Sequence, residues 1–69
     1  MEYFKLDQQE YIELNKLLKI MTWVPSGGEA NMVITSGLVK WNGQIEIQKR
    51  KKVRKGDEVQ FQDFHVEIQ

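Results

Sequence analysis

Ser26-Gly27-Gly28-Glu29-Ala30-Asn31-Met32-Val33-Ile34-Thr35-Ser36-Gly37-Leu38-Val39-Lys40-Trp41-Asn42-Gly43 decides the fold. It reads as a helix start, a short helix, a stop, a strand and a tight turn. Ser26 and Glu29 have the spacing of a capping box, in which the Ser hydroxyl accepts from the Glu amide and the Glu carboxylate returns to the Ser amide. Ala30, Val33 and Ile34 recur at helical spacing and predict one apolar face. Gly37 stands where a left-handed residue ends a helix. Leu38 to Trp41 predicts a strand, and Asn42-Gly43 a two-residue hairpin turn of type I′. Gly27 and Gly28 occupy the first two helical positions. Their amides carry no side-chain cover, and such amides with the helix dipole suit an anion, phosphate above all. The plainer reading is that the glycines only ease a tight loop into the helix.

Upstream, Tyr3 to Leu6 suggests a short edge strand. Asp7 and Glu10 repeat the capping logic. Tyr11, Leu14, Leu17, Leu18 and Met21 then form the stripe of an amphipathic helix of about 13 residues. Thr22 to Pro25 connects the two helices, with Trp23 and Val24 expected to be buried between them. Downstream the period changes to two. Ile45 and Ile47 alternate with polar residues, Gly56-Asp57 marks a turn, and Val59 and Phe61 lie on a strand. Gln62-Asp63 marks another turn, and Phe64, Val66 and Ile68 follow on a last strand. The expectation is a single α+β domain over residues 1–69, with two N-terminal helices on a small antiparallel sheet.

The 69 residues include no cysteine, so disulfides and thiolate metal sites are excluded, and a reducing compartment suits the chain. No apolar run approaches the roughly 20 residues of a membrane span, and no signal-peptide pattern opens the chain. A soluble cytoplasmic protein is expected. His65 is the only histidine. It shares a predicted outer strand face with Glu67, and nothing at metal-ligand spacing accompanies it. Without a nucleophile or an acid–base pair in a pocket, catalysis is not expected. No cofactor or metal is expected either.

Net charge is zero, yet charge is segregated: residues 1–37 carry three cations and five anions, residues 38–56 seven and one, and residues 57–69 four anions and no Lys or Arg. Lys49-Arg50-Lys51-Lys52-Val53-Arg54-Lys55 sets six cations in seven positions. A charge run of this kind is either a solvated loop or a phosphate-binding surface whose cations release condensed counterions. Trp41, Phe61 and Phe64 fall at inward positions and are assigned to the core. Tyr3 and Tyr11 are given no role. Contacts to nucleic acid are therefore expected mainly at the backbone, with recognition by shape.

Taken together, these segments resemble the RNA-binding domain of the ribosomal protein S-four family, the αL motif. That family reads Arg-Leu-Asp-Lys-x-Leu, then Ser-Arg-x-x-Ala, Gly-x-Val-x-Val-Asn-Gly and a later Gly-Asp. The matching segments are Glu13-Leu14-Asn15-Lys16-Leu17-Leu18, Ser26 to Ala30, Gly37 to Gly43, and Gly56-Asp57. Spacing from Leu14 to Gly43 fits without a gap, and the likeness covers about residues 11–61. The Ser-Gly-Gly form and the lack of a second domain look like the small stand-alone bacterial proteins of the YbcJ type. The resemblance implies RNA binding with no defined RNA target; with the basic run, the expectation is a module for structured RNA, ribosomal or transfer, and the lack of an obvious apolar patch favours a monomer. Glu13 and Gly27 stand where the family has arginines that face RNA. The Gly27-Gly28 amides and the basic run are the substitutes in view. The candidate RNA-binding residues are Lys16, Ser26, Gly27, Gly28, Asn31, Lys40, Asn42, Lys49, Arg50, Lys51, Lys52, Arg54 and Lys55. The alternative is a protein-interaction module whose basic patch docks an acidic protein, without RNA.

Overall fold

A computed structural model describes residues 1–69. In chain order its elements are β1 (Glu2–Phe4), β2 (Ile12–Glu13), α1 (Leu14–Ile20), α2 (Gly27–Thr35), β3 (Val39–Trp41), β4 (Gln44–Ile45), β5 (Lys52–Val53), β6 (Glu58–Phe61) and β7 (Phe64–Ile68). Helix α2 forms as its sequence dictates. Ser26 is extended, and its hydroxyl accepts from the Glu29 amide at 3.2 Å. Only this half of the capping box is made. At the other end Gly37 takes φ +79°. The Gly37 amide donates to the Ile34 carbonyl and the Leu38 amide to the Val33 carbonyl, the double closure of a Schellman motif. Ala30, Val33 and Ile34 are buried.

Helix α1 differs from its expectation. Asp7 and Gln8 both have positive φ, at 54° and 71°, which an N-cap and first helical residue cannot have. The helix starts only at Leu14, and Ile12–Glu13 is extended. The cause is non-local. Ile12 pairs with Val53 and Glu13 with Lys52, antiparallel. The amides that open α1 are met by remote carbonyls, Leu14 N–H donating to Lys51 and Asn15 N–H to Lys49, both at 2.9 Å. With these partners supplied, no side-chain cap is made. Strands β1 and β2 therefore precede the helices, which are not N-terminal. Helix α1 ends in a second Schellman closure, with Thr22 N–H to Lys19 and Trp23 N–H to Leu18, and Thr22 sits at φ +60°.

The main sheet has the order β1-β7-β6-β3-β4. Asn42 and Gly43 both have positive φ, as a type I′ turn requires, and they join Trp41 to Gln44 in register. The sheet is mixed rather than antiparallel: β1 runs parallel to β7, because the chain's start enters beside its last strand. Leu6 N–H to Gln69 and Gln69 N–H to Phe4 tie the two ends together. One core joins Leu14, Leu17 and Leu18 of α1 and the buried face of α2 to Val39, Val59, Phe61, Val66 and Ile68 of the sheet. Every buried side chain is apolar.

The inward assignment of Phe64 fails, and the alternating pair Ile45 and Ile47 does not reach the core either. Ile45 and Ile47 are exposed, because β4 is a two-residue edge strand that the chain leaves as Glu46 Oε2 accepts from the Gln48 amide. Phe64 is also exposed, its ring stacked on Trp23 at 5.3 Å between centroids. No helix is long and apolar enough to cross a membrane.

Candidate nucleic-acid interface

The basic segment is held by its backbone. Lys49 and Arg50 occupy a turn closed by the Lys51 amide on the Gln48 carbonyl. Lys52–Val53 pairs with β2, and Val53 is fully buried. Lys55 and Gly56 form the next turn, closed by the Asp57 amide on the Arg54 carbonyl, with Gly56 at φ +92°. The backbone and one valine thus serve the fold, and the cationic side chains are left outside.

Three of those cations rest on aromatic faces. Lys51 Nζ lies 4.1 Å from the Trp41 ring centroid. Lys52 Nζ and Arg54 Cζ lie 5.0 and 5.6 Å from the Tyr11 ring centroid. Exposed contacts of this type contribute about 0.5–1 kcal/mol each, enough to bias where the charges sit. Trp41, assigned to the core from sequence, is only partly buried, and Tyr11, given no role, belongs to this surface.

Asp57 joins the basic segment to the β3–β4 hairpin. Its Oδ2 accepts from the Arg54 amide at 2.7 Å and from Trp41 Nε1 at 3.1 Å, and its Oδ1 accepts from Asn42 Nδ2 at 3.1 Å. Asn42 Oδ1 in turn accepts from the Glu58 amide at 2.8 Å. Burial pushes the Asp57 carboxyl up, but the Arg54, Asn42 and Trp41 donors and the nearby Lys51 charge outweigh it and hold the group below the ordinary carboxylate value. The sequence reading took Asp57 only as a turn residue. An acid one glycine beyond the basic run was the available signal.

The remaining candidates divide. Asn31 Oδ1 accepts from Asn15 Nδ2 at 2.9 Å, which ties the start of α1 to the second turn of α2. The Asn15 backbone N–H also donates to the Lys49 carbonyl, so the basic turn, the start of α1 and Asn31 form one bonded chain. Gly27 lies one helical turn before Asn31. Neither Gly27 nor Gly28 is required by packing: both have ordinary φ, a Cβ at Gly27 would meet nothing within 4 Å, and one at Gly28 only Ser26 Oγ at 3.9 Å. Lys16 is exposed and pairs with Glu13 at 3.6 Å. Lys40 is exposed on β3, in register with Ile45 and Gln60. Asn42 is committed at both ends of its amide to Asp57 and Glu58, so it ties the hairpin turn to the start of β6. His65 bonds Glu58 Oε1 at 2.8 Å on the sheet's outer face.

The family model described as S4 domain matches residues 4–69. The chain belongs to the S4 domain family. Among curated S4-like relatives, "Putative RNA-binding protein YbcJ" of Escherichia coli (strain K12) is 37% identical over 68 residues, covering 99% of this chain and 97% of that protein. "Uncharacterized protein YbcJ" of Shigella flexneri matches to the same extent. The solution structure of YbcJ from E. coli, described as revealing an αL motif involved in RNA binding, has a TM-score of 0.75 at 37% identity. That match covers 99% of this chain and 86% of the other. The S4-family resemblance read from the motifs is thereby established, together with the αL-type α+β fold.

Proposed function

We propose that this S4 domain binds structured RNA, ribosomal or transfer, as a cytoplasmic monomer, mainly through phosphate contacts from the Lys49–Lys55 segment and the first turn of α2. The observation that carries the reading is the bonded chain Lys49–Asn15–Asn31. It links the cations to the helix whose opening amides lie bare. Each of Lys49, Arg50, Lys52, Arg54 and Lys55 is exposed, and folding draws no stability from gathering like charges. The two glycines support the same reading, since they cost helix propensity and packing does not require them. Arg50 and Arg54 suit bidentate phosphate contacts, and the lysines act as mobile point charges. The RNA-binding descriptions of the E. coli relative and of its solution structure support RNA as the class of ligand.

The test is a titration against bulk transfer RNA and ribosomal RNA at two salt concentrations, with duplex DNA as control. Saturable RNA binding that exceeds DNA binding and weakens with a log–log salt slope of about −0.7 to −0.9 per phosphate contacted is expected. The double variant Lys51→Glu/Arg54→Glu should abolish binding at low salt. Unchanged affinity in that variant overturns the assignment of the site. A protein complex that survives nuclease treatment, without RNA affinity, would favour an acidic protein partner instead.

A further inference from the structure

The pairing of Ile12 with Val53 sends both side chains into the core. Side chains alternate along extended backbone, so Tyr11 and Glu13, on either side of Ile12, and Lys52 and Arg54, on either side of Val53, share the outward face of the β2–β5 ribbon. Tyr11 is absent from the core and from the residues packed against it. With Glu10, Glu13 and Lys16 it lines an open concavity of about 430 Å³, within the range of pockets that hold small organic groups. We propose that this face is a stacking site for one unpaired nucleobase, with Tyr11 as the platform and Glu13 as the acceptor that selects guanine. The proposal rests on the RNA-binding reading above.

The Tyr11 ring already attracts Lys52 and Arg54. A base stacked on an aromatic ring contributes about as much as the two exposed cation–π contacts it replaces, and the freed cations then gain the phosphates beside it. An incoming base therefore displaces these cations from the ring and leaves them free for its flanking phosphates. Glu13 calls for its own explanation, because a carboxylate on a phosphate-binding surface repels the ligand. Its one ion partner, the exposed Lys16 at 3.6 Å, holds it weakly. Its two oxygens match adjacent N–H donors, as in carboxylate–guanidinium forks. The Watson–Crick edge of guanine offers such a pair at N1 and N2. Splayed bases stacked on aromatic rings and read at that edge are the usual route to sequence preference in RNA.

The experiment measures affinity by fluorescence anisotropy for a hairpin RNA that is fully paired, or that carries a single bulged G, A, C or U. The parent protein should bind the bulged-G hairpin tightest. Tyr11→Ala and Tyr11→Leu should each weaken that complex by about five- to a hundred-fold and leave the fully paired hairpin unchanged, whereas Tyr11→Phe retains the preference. Glu13→Gln should erase the choice among bulged bases yet keep bulged above paired. Circular dichroism checks that each variant is folded. Equal weakening of paired and bulged RNA by Tyr11→Leu, or none, overturns the stacking site. RNA binding by the parent without bulge preference overturns the stacking site alone. No RNA binding at low salt overturns both this proposal and the reading on which it rests.

Discussion

Replacing Asp57 by Ala removes the acceptor of three hydrogen bonds at once. A bond to a charged acceptor contributes about 1.5–3 kcal/mol where water cannot replace it. Water reaches the Asn42 amide and the Arg54 backbone, and the Trp41 indole N–H is the partly buried donor. The net cost is therefore about 2 kcal/mol, a large share of the stability of a small domain. For a chain of this size it lowers the melting temperature by about 8–16 °C. The carboxyl sits below its ordinary value in the folded protein, so its contribution is complete above the unfolded carboxylate pKa of about 4. It is lost as pH falls from there through the lowered folded value. Thermal and urea unfolding of parent and Asp57→Ala between about pH 2 and 6 should show a gap that is widest near neutrality and closes in acid. Asp57→Asn, nearly isosteric but uncharged, should lose the same acid-dependent component. A variant that melts within about 2 °C of the parent at neutral pH, or a gap that does not narrow in acid, would refute the role given to this carboxylate.

Thr22→Gly should raise stability by about 1 kcal/mol in urea unfolding, because a β-branched residue is held at a left-handed φ where glycine has no steric cost. Ser26→Ala should lower it by about 1 kcal/mol through loss of the cap on the Glu29 amide, seen as a lower urea midpoint at unchanged slope. Ile34→Ala, at a fully buried position between α2 and the rest of the core, should cost about 2–5 kcal/mol and leave little folded protein at 37 °C.

Elements written by neighbouring residues were legible in the sequence. The Ser26 half of the α2 cap, its Gly37 stop and the Asn42-Gly43 turn each rest on chemistry within about six positions and form as read, whereas the returning bond from the Glu29 carboxylate is not made. The start of α1 was not legible, because it depends on carbonyls from Lys49 and Lys51, more than thirty residues away. Without those carbonyls, Asp7 and Glu10 mimic a cap and Tyr11 extends the helical stripe. The parallel β1–β7 pair escaped for the same reason, since nothing within residues 2–4 names its partner. Of the site, the basic run was plain from composition. The tie through Asp57 and the position of Tyr11 were not, because the first depends on the pairing of β3 with β6 and the second on the register of the two-residue β2–β5 ribbon. The amide of Asn42, read as a contributor from the hairpin, ties the hairpin turn to Asp57 and Glu58.

The way α1 begins separates inheritance of shape from inheritance of charge. Where another helix would use a serine or an aspartate, this one draws on peptide carbonyls of Lys49 and Lys51, which any residue supplies equally well. Sequence drift at those positions can therefore raise, lower or invert the local charge, retuning what the surface attracts while the helix stays closed. Inserting or deleting a residue between Gln48 and Lys52 has the opposite character: it moves both carbonyls away from α1 and puts the helix itself at risk. Closure of α1 therefore constrains the length of this segment and leaves its exposed side chains unconstrained.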